Sequence, residues 1–111
     1  MSFIYKNPSM SHEEATTFLM SDVETDVAEA LVSIGLNEQD EAWAQNTCLE
    51  YMSRESQTIV SAAVCAVGHL ARRQVELDLE AVDSALSKVK KKFPALEGIV
   101  ADALEDIALF T

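Results

Sequence analysis

Residues 55–76 read ESQTIVSAAVCAVGHLARRQVE, and their spacing decides the fold. Ile59, Ala62, Ala63, Ala66, Val67 and Leu70 recur three and four residues apart, which places them on one face of a helix. Ala62, Ala63, Ala66 and Ala71 are small enough to let neighbouring helices approach closely. Thr58, Ser61, His69, Arg72 and Arg73 lie beside or opposite that stripe. A helix with so wide an apolar stripe needs helices on more than one side. The stretch is expected to be the central, most buried helix of an all-helical domain.

Working outward, the flanking chain gives five more helices. Ser11-His12-Glu13-Glu14 is a capping box, opening a short helix over about 12–20 with Ala15, Phe18 and Leu19 inward. Ser21-Asp22-Val23-Glu24 reads as a second box. Val23, Val27, Ala30, Leu31 and Ile34 then form a stripe over 22–34 that is expected to stop at Gly35. Asn37 or Glu38 opens a third helix, 38–54, whose apolar members are Ala42, Trp43, Cys48, Leu49, Tyr51 and Met52. Ser56 is the expected cap of the central helix, 57–73, and Asp78 that of a fifth, 78–92, with Leu79, Val82, Ala85, Leu86 and Val89 inward. Phe93-Pro94 ends it, because the residue before proline avoids helical geometry. The sixth spans 96–110 through Ile99, Val100, Ala103, Leu104, Ile107 and Phe110. Met1–Met10 is an apolar leader with a turn at Asn7-Pro8-Ser9, and Phe3, Ile4 and Tyr5 are candidates to dock on the body.

Nowhere do apolar residues alternate with period two over a convincing length, so no strand is expected. The connections are short, which makes the helices antiparallel neighbours. Pairing 38–54 with 57–73 and 78–92 with 96–110 gives a period of roughly forty residues, the spacing of two-helix solenoid repeats. The first two helices would form a shorter capping pair. The expected fold is one all-α domain over 1–111, either a short α-α solenoid or a compact right-handed bundle. With 111 residues it can bury about two thirds of its unfolded surface and needs no metal or disulfide to fold.

Charge bounds the partners. The chain has 19 acidic and 8 basic residues, net −11. Residues 1–50 hold ten of the acids against Lys6 alone; four of the seven cations beyond are Lys88, Lys90, Lys91 and Lys92. Such a field repels phosphate backbones and anionic lipid and speeds association with basic proteins. Nucleic acid and membrane are therefore not expected partners. Cys48 and Cys65 read as buried apolar side chains in a reducing compartment. The first residues lack a positively charged start followed by an apolar run, so a cytoplasmic protein is expected.

Ile59–Ala71 (IVSAAVCAVGHLA) resembles the second helix of a HEAT-type repeat. Together with EALVSI (Glu29–Ile34), WAQ (Trp43–Gln45), GHLAR (Gly68–Arg72), Leu77-Asp78 and DALEDI (Asp102–Ile107), it looks like small bacterial HEAT-like proteins. Some of these are immunity proteins of toxin–immunity and contact-dependent inhibition systems. The resemblance implies a non-enzymatic protein that binds a cognate toxin domain. The alternative is a HEAT-like adaptor or scaffold outside toxin biology.

On charge alone, the expected partner contacts are Asp22, Asp26 and Glu29 with Glu38, Asp40 and Glu41; Trp43 reads by default as a core residue and, if exposed beside those acids, as an aromatic anchor. The expected partner is basic; nuclease toxins bind phosphates, and an acidic helix face can stand in for that substrate. His69, Arg72, Asp78, Asp102 and Asp106 read as a structural network tying helices together, since a buried arginine needs a paired carboxylate. The sharper reading, His69 as a general base, lacks a nucleophile or metal beside it in the sequence. Cys65 and His69, four apart, would give only two zinc ligands. Asp102, Glu105 and Asp106 have no calcium-loop spacing. Asp83-Ser84-Ala85-Leu86 superficially resembles a carrier-protein attachment site, but Ser84 falls inside a helix. No cofactor and no metal are expected.

Overall fold

Helix α4, Gln57–Arg72, begins where the Ser56 hydroxyl accepts a hydrogen bond from the Ile59 amide at 3.2 Å. The computed structural model describes residues 9–111, and α4 is their axis. Around it stand α1 His12–Leu19, α2 Glu24–Asn37, α3 Glu41–Met52, α5 Leu79–Lys92 and α6 Glu97–Phe110, the last preceded by a 3-10 turn over Pro94–Leu96. No strand occurs among the described residues. Phe3, Ile4, Tyr5 and the start of the expected turn at Asn7-Pro8-Ser9 lie outside them.

α4 packs on α2, α6 and α3, with α1 against the far side of α2 and α5 bridging α3 and α6. Its burial is wider than the expected stripe. Val60, Val64 and Gly68 are covered along with Ala62, Ala63, Ala66, Val67, Leu70 and Ala71, whereas Ile59 is half-exposed. Burying a valine or leucine side chain this completely contributes about 1.5–3 kcal/mol. Val60, Val64, Val67 and Leu70, all fully inaccessible, therefore anchor the whole assembly.

α2 and α4 approach each other closely at Gly35. Gly35 does not end α2, which runs on to Asn37. A Cβ built on Gly35 would lie 2.7 Å from Ala66 Cα and 2.8 Å from the Ala66 carbonyl oxygen. The glycine is thus a notch that admits the backbone of α4, and its φ is not positive.

The other helix ends follow local hydrogen bonding. The Ser11–Glu14 box is formed. The second box is not: the N-cap is Val23, without a side-chain bond. Ser21 instead accepts from the Val23 amide at 3.0 Å and donates to Asp26 at 2.8 Å. α3 starts later than expected because Asp40 is its cap, accepting from the Trp43 amide at 3.1 Å. Asp78 caps α5 at 3.1 Å, and Lys90, Lys91 and Lys92 fill its last turn, favourably for the helix dipole. The chain leaves α4 through Gln74 at φ 63°, a left-handed residue that lets the Val75 amide reach back to the Leu70 carbonyl.

Several apolar residues expected inside are exposed: Phe18, Val23, Ala42, Leu79, Leu104 and Phe110. Phe18, Val23, Leu79 and Phe110 sit at helix ends, beyond the reach of the neighbouring helix. Cys48 is buried as expected, but Cys65 faces solvent on α4.

Candidate partner-binding surface

The acids expected to form one face fall into two groups at opposite ends of α2. Asp22 precedes its N-cap and Asp26 and Glu29 lie in its first half; Glu38, Asp40 and Glu41 follow its last residue. Asp26 and Asn37 stand eleven residues apart, about 16 Å along the helix axis. Asp22 and Glu29 are exposed, Asp26 is partly shielded by its bond from Ser21, and Asp40 and Glu41 are exposed.

Glu38 is different. Its side chain is buried, accepts from the Asp40 amide at 3.0 Å and faces His12 Nδ1 at 3.1 Å. The imidazole of His12 lies 4.2 Å, centroid to centroid, from the half-buried Trp43 indole. Arg73, reaching over from the end of α4, donates to the Gly35 and Glu38 carbonyls at 2.9 and 2.7 Å. Glu38 thus joins α1 to the α2–α3 connection and leaves little carboxylate for a partner. Arg73, a residue that periodicity alone did not single out, satisfies carbonyls freed at the end of α2.

Four of the cations elsewhere are paired. Arg54 pairs with Glu50, Arg72 with Asp106, Lys90 with Glu97 and Lys92 with Glu55. Among the described residues none pairs with Asp22, Glu24, Asp26, Glu29, Asp40 or Glu41. These carboxylates therefore have no compensating ion pair among the described residues, and surface carboxylates of this kind act mainly on the rate of encounter.

Between α4 and α6 lies the polar network. A small cavity of about 170 Å³ is lined by Cys65, Gly68, His69, Arg72, Asp102 and Asp106, among others. Arg72 donates to Asp106 and, at 2.6 Å, to His69 Nδ1. A guanidinium can only donate, so Nδ1 accepts and the proton sits on Nε2. Burial, then the Arg72 charge, hold the His69 pKa below its usual value, with Asp106 opposing. The lone pair a general base would use is occupied. Asp78 is not part of this group: its amide bonds Gln45, and its carboxylate caps α5. At Cys65, partial desolvation raises the thiol pKa, the Arg72 charge lowers it and Asp102 raises it. Groups of three or more histidine, cysteine, aspartate or glutamate side chains placed to hold a metal do not occur among the described residues.

No family model matches the sequence, and neither does any curated protein. The fold is matched by a solved structure. A chain in the crystal structure of the CDI complex from Cupriavidus taiwanensis LMG 19424 superimposes with a TM-score of 0.82 at 28% identity, over 98% of each chain. The likeness to a chain of a CDI complex thus extends over nearly the whole sequence. No helix among the described residues is long and apolar enough to cross a membrane.

Proposed function

We propose that this chain is an immunity protein that binds a cognate bacterial toxin domain in the cytoplasm and neutralises it by covering its active site. The observation that carries the reading is the end-to-end likeness to a chain of a CDI complex. The charge distribution supports the finer part. The uncompensated acids Asp22, Asp26, Glu29, Asp40 and Glu41 suit a basic target, and a nuclease site, built to hold phosphates, is such a target. Trp43, half-buried beside His12, is assigned as an anchor, while Glu38 acts by holding His12 and the α2–α3 connection in place. The action is non-enzymatic, because occlusion requires a preformed surface and no proton or group transfer. We read the helix pairs α3/α4 and α5/α6 as HEAT-like units, in keeping with α4 lying between α2 and α6.

The test is protection. Cells expressing the toxin-like domain encoded beside this chain should survive only when the chain is co-expressed. The purified pair should form a stoichiometric complex whose association slows with added salt. Reversal of Asp22, Asp26 and Glu29 to lysine should slow it further. Absence of any toxic neighbour, or toxicity undiminished by the chain, would overturn the proposal.

A further inference from the structure

The turn between α1 and α2 is built against the ordinary logic of a surface. Phe18, Met20 and Val23, three large apolar side chains within six residues, are 36%, 81% and 52% exposed. Between them Leu19 turns inward onto the core, so the turn is held while its neighbours are presented outward. Val23 occupies the N-cap of α2, where a serine, threonine, aspartate or asparagine would bond a free amide, and it makes no such bond. Ser21, two residues earlier, bonds the Val23 amide instead. Folding alone gives no reason for an exposed valine at a cap or a methionine almost wholly in water. Departures from local rules without a folding benefit concentrate at functional sites.

The surroundings state what would cover these residues. Asp22 and Glu24 are interleaved with them, and Asp26 and Glu29 follow on α2. None of the four has a cation partner among the described residues. An apolar centre with an unneutralised acidic rim complements a protein face whose apolar centre is rimmed by lysine or arginine. Phenylalanine and methionine are enriched at the cores of protein interfaces, and methionine adapts its shape to the partner.

We infer that Phe18, Met20 and Val23 form the apolar anchor by which this chain seats a cationic toxin domain, with Asp22 and Glu24 as its rim. The inference rests on the immunity reading and adds which part of the surface binds. Anchor and rim act on different rates: apolar contacts at the centre govern dissociation, and rim charges govern association.

The experiment measures association and dissociation rates of the full chain with the toxin-like domain encoded beside it. Phe18→Asp with Met20→Asp should weaken binding at least a hundredfold, mostly through faster dissociation, and abolish protection of toxin-expressing cells. The helical circular dichroism should stay unchanged; Met20→Asp alone, at a side chain 81% exposed, should leave the melting temperature unchanged and still speed dissociation, whereas Phe18, 36% exposed, gives up some packing in the double variant. Asp22→Asn with Glu24→Gln should slow association and flatten its salt dependence. Leu109→Asp, at another exposed apolar site, is the control and should leave both rates alone. Wild-type affinity in the Phe18/Met20 variant, or equal weakening by Leu109→Asp, would overturn the anchor and leave the immunity reading standing. If the wild-type chain binds no toxic domain at all, the immunity reading falls, and the anchor with it.

Discussion

Replacing Gly35 by alanine sets two physical effects of opposite sign against each other. Gly35 is inside α2, and a glycine in a helix interior is about 1 kcal/mol less favourable than alanine. Propensity alone therefore makes Gly35→Ala stabilising. Packing opposes it. The new Cβ would stand 2.7 Å from Ala66 Cα, 2.8 Å from its carbonyl oxygen and 3.0 Å from its Cβ. Carbon atoms rest comfortably at about 3.5–4.0 Å. Two of the three obstacles are backbone, so no rotamer change relieves them, and α2 must move off α4 by up to about 1 Å.

A gap of that size forfeits roughly a quarter to a half of each affected dispersion contact. The largest helix–helix contact of the fold is the one opened. Overpacking in cores costs about 1–3 kcal/mol, and rigid obstacles place this site near the upper end. Subtracting the propensity gain leaves a net loss of roughly 2 kcal/mol. For a chain of this length that lowers the melting temperature by about 8 °C. Thermal and urea unfolding followed by far-ultraviolet circular dichroism measure both quantities. Gly98→Ala is the matched control: it lies in α6 with nothing within 4 Å of the new Cβ, so only propensity acts. It should be neutral or stabilising, by at most about 1 kcal/mol. If Gly35→Ala moved stability in the same direction as Gly98→Ala, the close approach of α2 and α4 would be wrong.

The two thiols should separate cleanly. Cys48 is fully inaccessible, and burial pushes its pKa up to about 12, whereas Cys65 faces solvent. A neutral alkylating reagent at pH 8 should therefore modify Cys65 alone in the native protein, and both after denaturation; native-state modification of Cys48 read by mass spectrometry would contradict the packing of α3 on α4. His69 gives a pH dependence of defined sign. Its folded pKa lies below the usual value, so below about pH 6.5 the unfolded chain binds more protons than the folded one. Stability from this group is complete above that pH and lost as pH falls through the folded pKa. His69→Gln, which keeps an acceptor for Arg72, should be less stable at pH 7 yet show a shallower decline toward pH 5 in chemical denaturation. An unchanged or steeper decline would mean that His69 is not held neutral by burial and Arg72.

What could be read from the residues, and what could not, divides along the line between burial and exposure. A helix that must bury several faces is forced into an apolar spacing, which is why Ala62, Ala63, Ala66, Val67 and Leu70 announced α4 and why Ser11, Ser56 and Asp78 marked helix starts. Gly35 was legible as special but not in its role, because the same residue serves as a stop with positive φ or as a notch for a neighbouring backbone. Only the position of Ala66 distinguishes the two. Glu38 was legible as acidic, but its burial depends on His12, twenty-six residues earlier, coming within 3.1 Å. Arg73 reaching Gly35 and Glu38 across more than thirty residues left no local trace at all.

The proposed anchor hides for a related reason. Phe18 and Val23 share the apolar spacing of the core, and periodicity assigns them to it. Whether such a residue is inside depends on whether a neighbouring helix extends over it. α1 has eight residues and α4 stands behind α2, so the outer edge of the α1–α2 turn has nothing over it among the described residues. Acidic residues on the same turn then acquire a meaning that composition could not give them. An even spread of carboxylates would only keep the chain in solution, but carboxylates around uncovered phenylalanine, methionine and valine select for a partner. The order in which that partner is engaged follows from range: the acids act over about 10 Å at moderate salt and draw a cationic domain in, and the apolar side chains act only on contact and keep it there. A molecule organised in this way would lose speed of capture when its acids are neutralised and lose retention when Phe18 and Met20 are made polar.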